Sequence, residues 1–376
     1  MQRENLLMVA DSERDANMLY AVRMFVPDAF IYLRLNGKCH VVMSDLEIDR
    51  ARKEAAHCKV ISQSTLAEKA RSQKIRVPGF ASVIATVLKE KQIKRVWVPA
   101  NFPLALARDL QKLRIDVQVK NDGFYPQRQI KKADEVKKLS AALMMAEVGL
   151  SEGIQVLKRA KIGHNRKLVY NNVPLTSEKL RAVIDTAVIQ AGGLPAHTIV
   201  AGGAQGCDPH ERGHGILRAN EPIILDCFPR SQKTGYFGDI TRTVVKGRAS
   251  DTVRKMYDTV ARGQEIAFQK MRSNVAGREI HDAIQSFFVS EGFKTGKKDG
   301  RMQGFFHGTG HGVGLEIHEA PRVSGSSPDV LKNGHVVTVE PGLYYSGIGG
   351  VRIEDMAHVT HKGARNLTKF EKVLEV

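Results

Sequence analysis

The chain has one tryptophan and four cysteines among 376 residues, and aromatic side chains make up only 6%. No uncharged apolar run reaches the roughly 18 residues that a membrane span requires. Cys39, Cys58, Cys207 and Cys227 are scattered, with no CxxC pair and no dense framework. That pattern excludes a disulfide-stapled scaffold and a thiolate zinc site, and it favours a reducing compartment with the cysteines as small buried residues. Met1-Gln2-Arg3-Glu4-Asn5 carries no basic segment leading into a long apolar stretch, so a secretory signal is not expected and the cytoplasm is the expected location. There is no solenoid-period repeat, no low-complexity tract, no phosphate-binding loop and no Cys/His finger.

What remains is the composition of a globular protein, 42% apolar and 26% charged, long enough for two domains. Lysine and arginine exceed aspartate and glutamate by 57 to 40, a net charge of +17. Such an excess raises nucleic acid or an anionic membrane as partners. The charge is spread along both halves, however, and no aromatic-rich RNA-binding motif accompanies it. The densest cluster, Lys294, Lys297, Lys298 and Arg301, reads as a solvated Gly-containing loop. Neither a membrane nor a nucleic acid is therefore expected as a partner.

Residues 1–125 alternate short strands with helices. Two apolar runs, 29–35 and 38–43, flank Asn36-Gly37, a strong hairpin signal. Helices are expected over 46–56, 82–91 and 103–113, and strands over 95–98 and 115–119. This is the pattern of a small α/β layer domain. The turn-rich stretch 121–126 ends it. In residues 126–376, Val136, Leu139, Leu143, Ala146 and Leu150 recur at helical spacing, and further helices are expected over 177–190, 252–272 and 277–290. From Pro222 onward apolar strands alternate with polar turns, so the larger domain is expected to be α+β, helices on an antiparallel sheet.

The chemistry-bearing residues lie in this second part. The strand 223–226 ends in Asp226, and 238–245 opens with Asp239; a hairpin loop between them would set the two carboxylates opposite each other, roughly 5 Å apart. Facing carboxylates repel unless a proton or a cation lies between them. The segment 305–319 has four glycines alternating with other residues around His311, which makes it a tight loop carrying His307, His311 and His318 rather than a nucleotide fingerprint. Glu340 and Glu354 each stand in an otherwise apolar strand, and Arg352 shares a face with Glu354 in an extended chain. Taken singly, each is an ordinary strand carboxylate. Together, Asp226, Asp239, Glu340 and Glu354 bring about four negative charges, which two divalent cations would neutralise. Oxygen ligands plus one imidazole suit Mn, Co, Fe or Zn, and a metal pair roughly 3.5–4 Å apart activates water for hydrolysis.

On these residues the chain resembles the pita-bread metallopeptidases, the group of methionine aminopeptidase, Xaa-Pro aminopeptidase and prolidase. The resemblance rests on the ordered set Asp226, Asp239, His311, Glu340 and Glu354. Its motifs are Gly-Asp-Ile-Thr-Arg-Thr (238–243), His-Gly-Thr-Gly-His-Gly-Val-Gly (307–314), Glu-Pro-Gly (340–342) and Val-Arg-Ile-Glu-Asp (351–355). It covers both domains of the proline-specific branch. It implies a pita-bread catalytic domain over 126–376 behind a creatinase-like α/β domain over 1–125. It also implies two divalent metals, Mn before Co, Zn or Fe: Asp226 on one, Asp239 and Glu354 bridging, His311 and Glu340 on the other, with Glu340 also relaying a proton.

The resemblance further implies substrate-side roles for His307 and His318, and for His210 or, alternatively, His214. Arg322 would hold a substrate carboxylate, and Arg352 would orient Glu354 or gate the site. The loop from Asp226 to Asp239, with Cys227-Phe228-Pro229-Arg230 after the first ligand, is somewhat longer than in compact relatives, which is expected to leave the metal site intact and to alter the shape of the pocket. The implied substrate is a peptide with proline at its second position, and the implied assembly a homodimer. An Xaa-Pro aminopeptidase comes first, with Xaa-Pro dipeptidase as the alternative. A non-catalytic binding protein of the same fold is the further one, disfavoured because all five ligand positions are filled.

Overall fold

Asn36 and Gly37 both take positive φ, 50° and 84°, the backbone of a tight primed turn. They join the antiparallel strands Phe30–Leu35 and Lys38–Met43. The computed structural model describes residues 4–72, 77–121 and 123–376. Met1, Gln2 and Arg3 of the amino-terminal reading and Asp122 of the turn-rich break lie outside the described residues. The chain forms two compact units, Met1–Arg128 and Gln129–Val376.

In the first unit the hairpin belongs to a mixed six-stranded sheet. Its order is Lys59–Ser62, Lys38–Met43, Phe30–Leu35, Leu6–Ala10, Arg95–Val98, Asp116–Val119. The outer neighbours on both sides pair in parallel, which requires helical crossovers. Successive residues feed opposite cores. Leu7 and Val9 pack with Val83, Val87 and Leu110 from helices Phe80–Glu90 and Leu104–Lys112. Leu6 and Met8 pack with Met18, Val22 and Ala51 from helices Ala16–Val22 and Ile48–Glu54. The sheet is therefore covered on both faces. Leu6–Ala10 shows no polar–apolar alternation because both its faces are buried, and for that reason the sequence does not announce it as a strand.

The second unit begins with a 27-residue helix, Ala133–Arg159, packed along Ser177–Gln190. Helices Asp251–Lys270 and Gly277–Ser290 cover a core containing Val337, Val339, Leu343, Val351 and Ala357. Three sheets matter for the site. One is three-stranded and antiparallel, Ile199–Gly202, Pro222–Cys227, Ile240–Val245. A five-stranded sheet runs Glu319–Val323, Gly310–Gly312, Val336–Val339, Asp355–Val359, Ala364–Asn366. The third is the pair Gly342–Tyr345 and Gly349–Arg352, the latter strand packed against Pro222–Cys227 and Ile240–Val245.

Several sequence expectations need correction. The basic cluster is no open loop: Gly296–Lys298 and Arg301–Gln303 pair as a short hairpin around Asp299-Gly300, both at positive φ. The span 349–355 is not one strand. It leaves the two-stranded sheet after Arg352, passes through Ile353 and Glu354, and enters the five-stranded sheet at Asp355. Of the cysteines, Cys58 and Cys227 are buried, whereas Cys39 and Cys207 are half-buried; Cys39 packs at the margin of a core, next to the exposed Lys38 that opens its strand.

Gly310 lets two strands touch. A Cβ there would lie 1.9 Å from the Thr338 carbonyl oxygen, a backbone atom that cannot swing away. Gly310→Ala is expected to destabilise the second unit by at least about 1–3 kcal/mol and to displace His311. Thermal melts of the two proteins check this, an unchanged midpoint being the contrary result.

Candidate metal centre

Two antiparallel strands present the first carboxylates. Asp226 has Ile199 and Thr241 as its cross-strand partners. The expected pairing of Asp226 with Asp239 is thus corrected. Asp239 lies just before its strand and shares a face with Thr241 two residues on. The hairpin is offset because Arg230-Ser231, within the longer connection, pairs with Gly193-Leu194 instead. That connection also sends Phe228 to the wall of the cleft.

Thr241 ties this sheet to the Glu354 segment. The Glu354 backbone N–H donates to the Thr241 carbonyl at 3.0 Å. The Thr241 hydroxyl donates to the Glu354 carboxylate at 2.7 Å and accepts from Arg352 Nε at 3.3 Å. From the five-stranded sheet come His311 and Glu340. The Thr338 hydroxyl accepts from the His311 N–H at 3.0 Å and donates to Glu340 Oε1 at 3.2 Å. His311 Nε2 lies 3.3 Å from Glu340 and 3.8 Å from Asp239. Its Nδ1 faces the Gly312 carbonyl at 3.1 Å; a carbonyl only accepts, so Nδ1 carries a proton and Nε2 is the nitrogen turned towards the carboxylates.

Asp239, His311 and Glu354 place one ligand atom each within 4.8 Å of one another, and all three are buried. Asp226 stands beside them with a divided environment. Its Oδ2 accepts from the Arg352 guanidinium at 2.6 Å, while its Oδ1 is buried with no hydrogen-bond partner among the described residues. An orphaned carboxylate oxygen inside a protein costs free energy unless something cationic completes it. The donor set, oxygen-rich with one aligned imidazole nitrogen, fits a divalent metal on that ground.

Electrostatics agree. Four carboxylates share this pocket with one buried guanidinium, that of Arg352. Burial, then the charges of Glu354, Asp226 and Glu340, push the Asp239 carboxyl well above its ordinary range. Burial, then Glu340 and Asp226, do the same to Glu354. Glu340 goes the other way: burial opposes it, but the His311 hydrogen bond and charge, with His307 and Arg352, bring it down to about 2. In the metal-free protein, therefore, Asp239 and Glu354 hold their protons to higher pH than ordinary carboxylates do, and a cation must displace them. Binding of Mn²⁺ to chelator-treated protein is expected to release protons and to tighten as pH rises. Calorimetry in buffers of different ionisation enthalpy reads this directly, and a pH-independent affinity would contradict it.

The cleft holding these groups has a volume of about 770 Å³ and is also lined by His210, His307, His318, Arg322, Arg352 and Phe306. His214 is not among its lining residues; its backbone is tied to Gln205. His307 is more constrained than its motif suggests. Nδ1 meets the Gly308 carbonyl at 2.8 Å and Nε2 meets the Tyr344 hydroxyl at 2.8 Å. That hydroxyl also accepts from Arg352 at 3.0 Å. Burial lowers the His307 pKa to about 4, so the ring is neutral and both nitrogens are engaged. His318 packs edge-on against His311 with centroids 4.4 Å apart. Loss of water on that side, then the charges of His311 and Arg322, lower its pKa to about 4 as well. Arg352 reaches Asp226, Thr241 and Tyr344 rather than Glu354, because the chain turns between the two sheets. Thr241, Thr338 and Tyr344 were not singled out from the sequence; Thr241 and Thr338 each stand two residues from a carboxylate, on the same face in an extended chain.

Comparison with known proteins places this geometry. A family model described as metallopeptidase family M24 matches residues 137–361. An Xaa-Pro dipeptidase of Pyrococcus horikoshii is 28% identical over 287 residues, 75% of each chain. One from Pyrococcus furiosus is 36% identical over 178 residues, 47% of this chain and 48% of that one. Among solved structures, an X-Pro aminopeptidase from Thermotoga maritima superposes with a TM-score of 0.83 at 22% identity, covering 99% of this chain and 97% of the other. At that identity the likeness speaks for the fold across both units.

Proposed function

Because the chain belongs to metallopeptidase family M24, we propose that it is an Xaa-Pro peptidase: a two-metal hydrolase that removes the N-terminal residue ahead of proline. The observation that carries this reading is the meeting of Asp239, His311 and Glu354 beside the orphaned Asp226 oxygen. In it, Asp226, Asp239 and Glu354 would hold one divalent cation, and Asp239, Glu354, His311 and Glu340 a second, manganese being the first choice. When bound, such cations supply Lewis acidity and a water acidic enough to attack near neutral pH.

The protein's own groups do the rest. Glu340, ionised and hydrogen-bonded through Thr338, accepts a proton from the attacking water and returns it to the leaving nitrogen. His318, with a neutral ring free of side-chain hydrogen bonds to the described residues, donates to the developing oxyanion. His210 holds the substrate from the cleft wall. His307, engaged with Tyr344, shapes the wall beside Phe306, where a proline ring packs. Arg352 holds Asp226 in place.

An aminopeptidase reading is favoured by a cleft larger than a dipeptide fills. A dipeptidase reading has its own observation: Arg322 lines the cleft exposed, and no carboxylate among the described residues is paired with its guanidinium, leaving it available for bidentate contact with a free substrate carboxylate. The two curated dipeptidase relatives point the same way. The remaining parts of the proposal are a homodimer, a cytoplasmic location and no nucleic-acid partner.

Manganese-loaded full-length protein is to be assayed on Xaa-Pro dipeptides, Xaa-Pro tripeptides and Met-Ala peptides. Cleavage of both Xaa-Pro sets supports the aminopeptidase. Cleavage of dipeptides alone, lost in Arg322→Ala, transfers the assignment to the dipeptidase. Preference for Met-Ala removes the proline specificity.

A further inference from the structure

The first unit contains a pair of cysteines that the metal chemistry does not use. Strands Lys38–Met43 and Lys59–Ser62 run parallel, with His40 opposite Lys59, Val41 opposite Val60 and Val42 opposite Ile61. Carrying that register back one step puts Cys39 opposite Cys58. Both belong to the same side of the sheet, in the core cluster that includes Val41, Val60 and Tyr32. Adjacent strands lie about 4.8 Å apart, inside the Cα separation of about 4.4–6.8 Å that a disulfide spans. Each thiol lies within electrostatic reach of the other. No rearrangement of the chain is needed to bring them together.

Their surroundings are unequal. Cys58 is buried and Cys39 half-buried. The Tyr32 hydroxyl lies 3.2 Å from Cys39 Sγ, and Arg34 is the cross-strand partner of Cys39. The Cys58 contact, then Tyr32, His57 and Arg34, hold the Cys39 thiol below its ordinary range against the effect of burial. The Cys39 contact and burial push Cys58 up. One sulfur is thus accessible and readily ionised, and the second waits behind it as a thiol. That is the arrangement of an attacking and a resolving cysteine.

We propose that Cys39 and Cys58 form a peroxide-oxidisable dithiol that closes to a reversible disulfide within the first unit. The Cys39 thiolate attacks hydrogen peroxide; the O–O bond breaks, one oxygen stays on sulfur as sulfenic acid, and the other leaves as hydroxide and takes up a proton. Cys58 sulfur then attacks the sulfenic sulfur. The S–O bond breaks, its oxygen leaves as water with the Cys58 proton, and the S–S bond forms. Two thiols lose two electrons and one peroxide becomes two waters.

The test treats reduced full-length protein with stoichiometric hydrogen peroxide, then counts thiols after denaturation and maps the peptides. The count is expected to fall from four to two, with Cys39 linked to Cys58, Cys207 and Cys227 still alkylatable, and dithiothreitol restoring all four. Cys58→Ser is expected to leave Cys39 as a sulfenic acid trapped by dimedone, and Cys39→Ser to slow thiol loss at Cys58 at least about tenfold. Because the decisive reading is made on the wild-type chain, misfolding of a variant does not blunt it. Cys39 advancing to sulfinic acid with Cys58 still alkylatable, a link through Cys207, or no thiol loss would each overturn the proposal.

Discussion

Asp239→Asn is expected to lower kcat/KM on an Xaa-Pro peptide by about 10²–10³-fold, the scale on which removing a charge-stabilising group from a catalytic centre acts. It is also expected to raise, or leave unchanged, the melting temperature of the metal-free protein. The two effects have opposite sign for one reason. Asp239 is buried against three other carboxylates and one guanidinium, so without a cation its charge is a burden, which is why its carboxyl is pushed above the ordinary range. An amide of the same shape removes the burden. With the cation, that charge holds the centre together, and the amide cannot replace it. Metal-dependent stabilisation, which follows RT ln(1 + [L]/Kd), should therefore shrink in the variant while the metal-free baseline does not fall. Melts with and without Mn²⁺, metal content after dialysis and initial rates together check this. A variant that keeps both its metal and its rate would show that Asp239 is no ligand.

The same asymmetry explains how much of the centre could be read from the sequence. A carboxylate inside an apolar strand is visible in one dimension because burial makes it expensive, and so Asp226, Asp239, Glu340 and Glu354 stand out. Their partners do not stand out. Thr241 and Thr338 are ordinary strand residues until the fold sets one against Glu354 and the other between His311 and Glu340. The register of Asp226 against Thr241 depends on a hairpin connection that pairs elsewhere, which no local pattern encodes. His307 is visible as a motif, but the engagement of its Nε2 follows from a tyrosine 37 positions away in the chain. Fold class followed the same rule. Periodic helices such as Ser177–Gln190 and Gly277–Ser290 lie where periodicity puts them. Leu6–Ala10, buried on both faces, carries no period to find.

Arg242→Met is expected to cost the second unit about 3–5 kcal/mol, the scale for breaking one side of a buried ion pair. Arg242 belongs to the motif 238–243, but it points away from the metal ligands. Its side chain is 1% exposed, as is that of Asp355, 2.9 Å away. All five of its N–H groups are used: Nε donates to the Glu371 carbonyl, NH1 to those of Thr241 and Glu354, and NH2 to Asp355 and the Phe370 carbonyl. Methionine fills the space and takes a donor from all five acceptors, of which the Thr241 carbonyl keeps the Glu354 N–H. Asp355 keeps Asn366 and Lys372, each at 2.8 Å, which sets the loss at the lower end of the range. At about 2–4 °C per kcal/mol for a unit of this size, the melting transition should fall by roughly 6–12 °C. Lysine retains the charge but not the planar fork, so Arg242→Lys should recover only part of it. Lys372→Ala, whose side chain is 33% exposed, should change stability by no more than about 1 kcal/mol. Because the same guanidinium holds the carbonyls of Thr241 and Glu354, metal affinity should fall with stability in Arg242→Met even well below its melting point. Equal melting temperatures for Arg242→Met and the parent would mean that this buried clasp does not hold the carboxyl-terminal tail to the strand behind the centre.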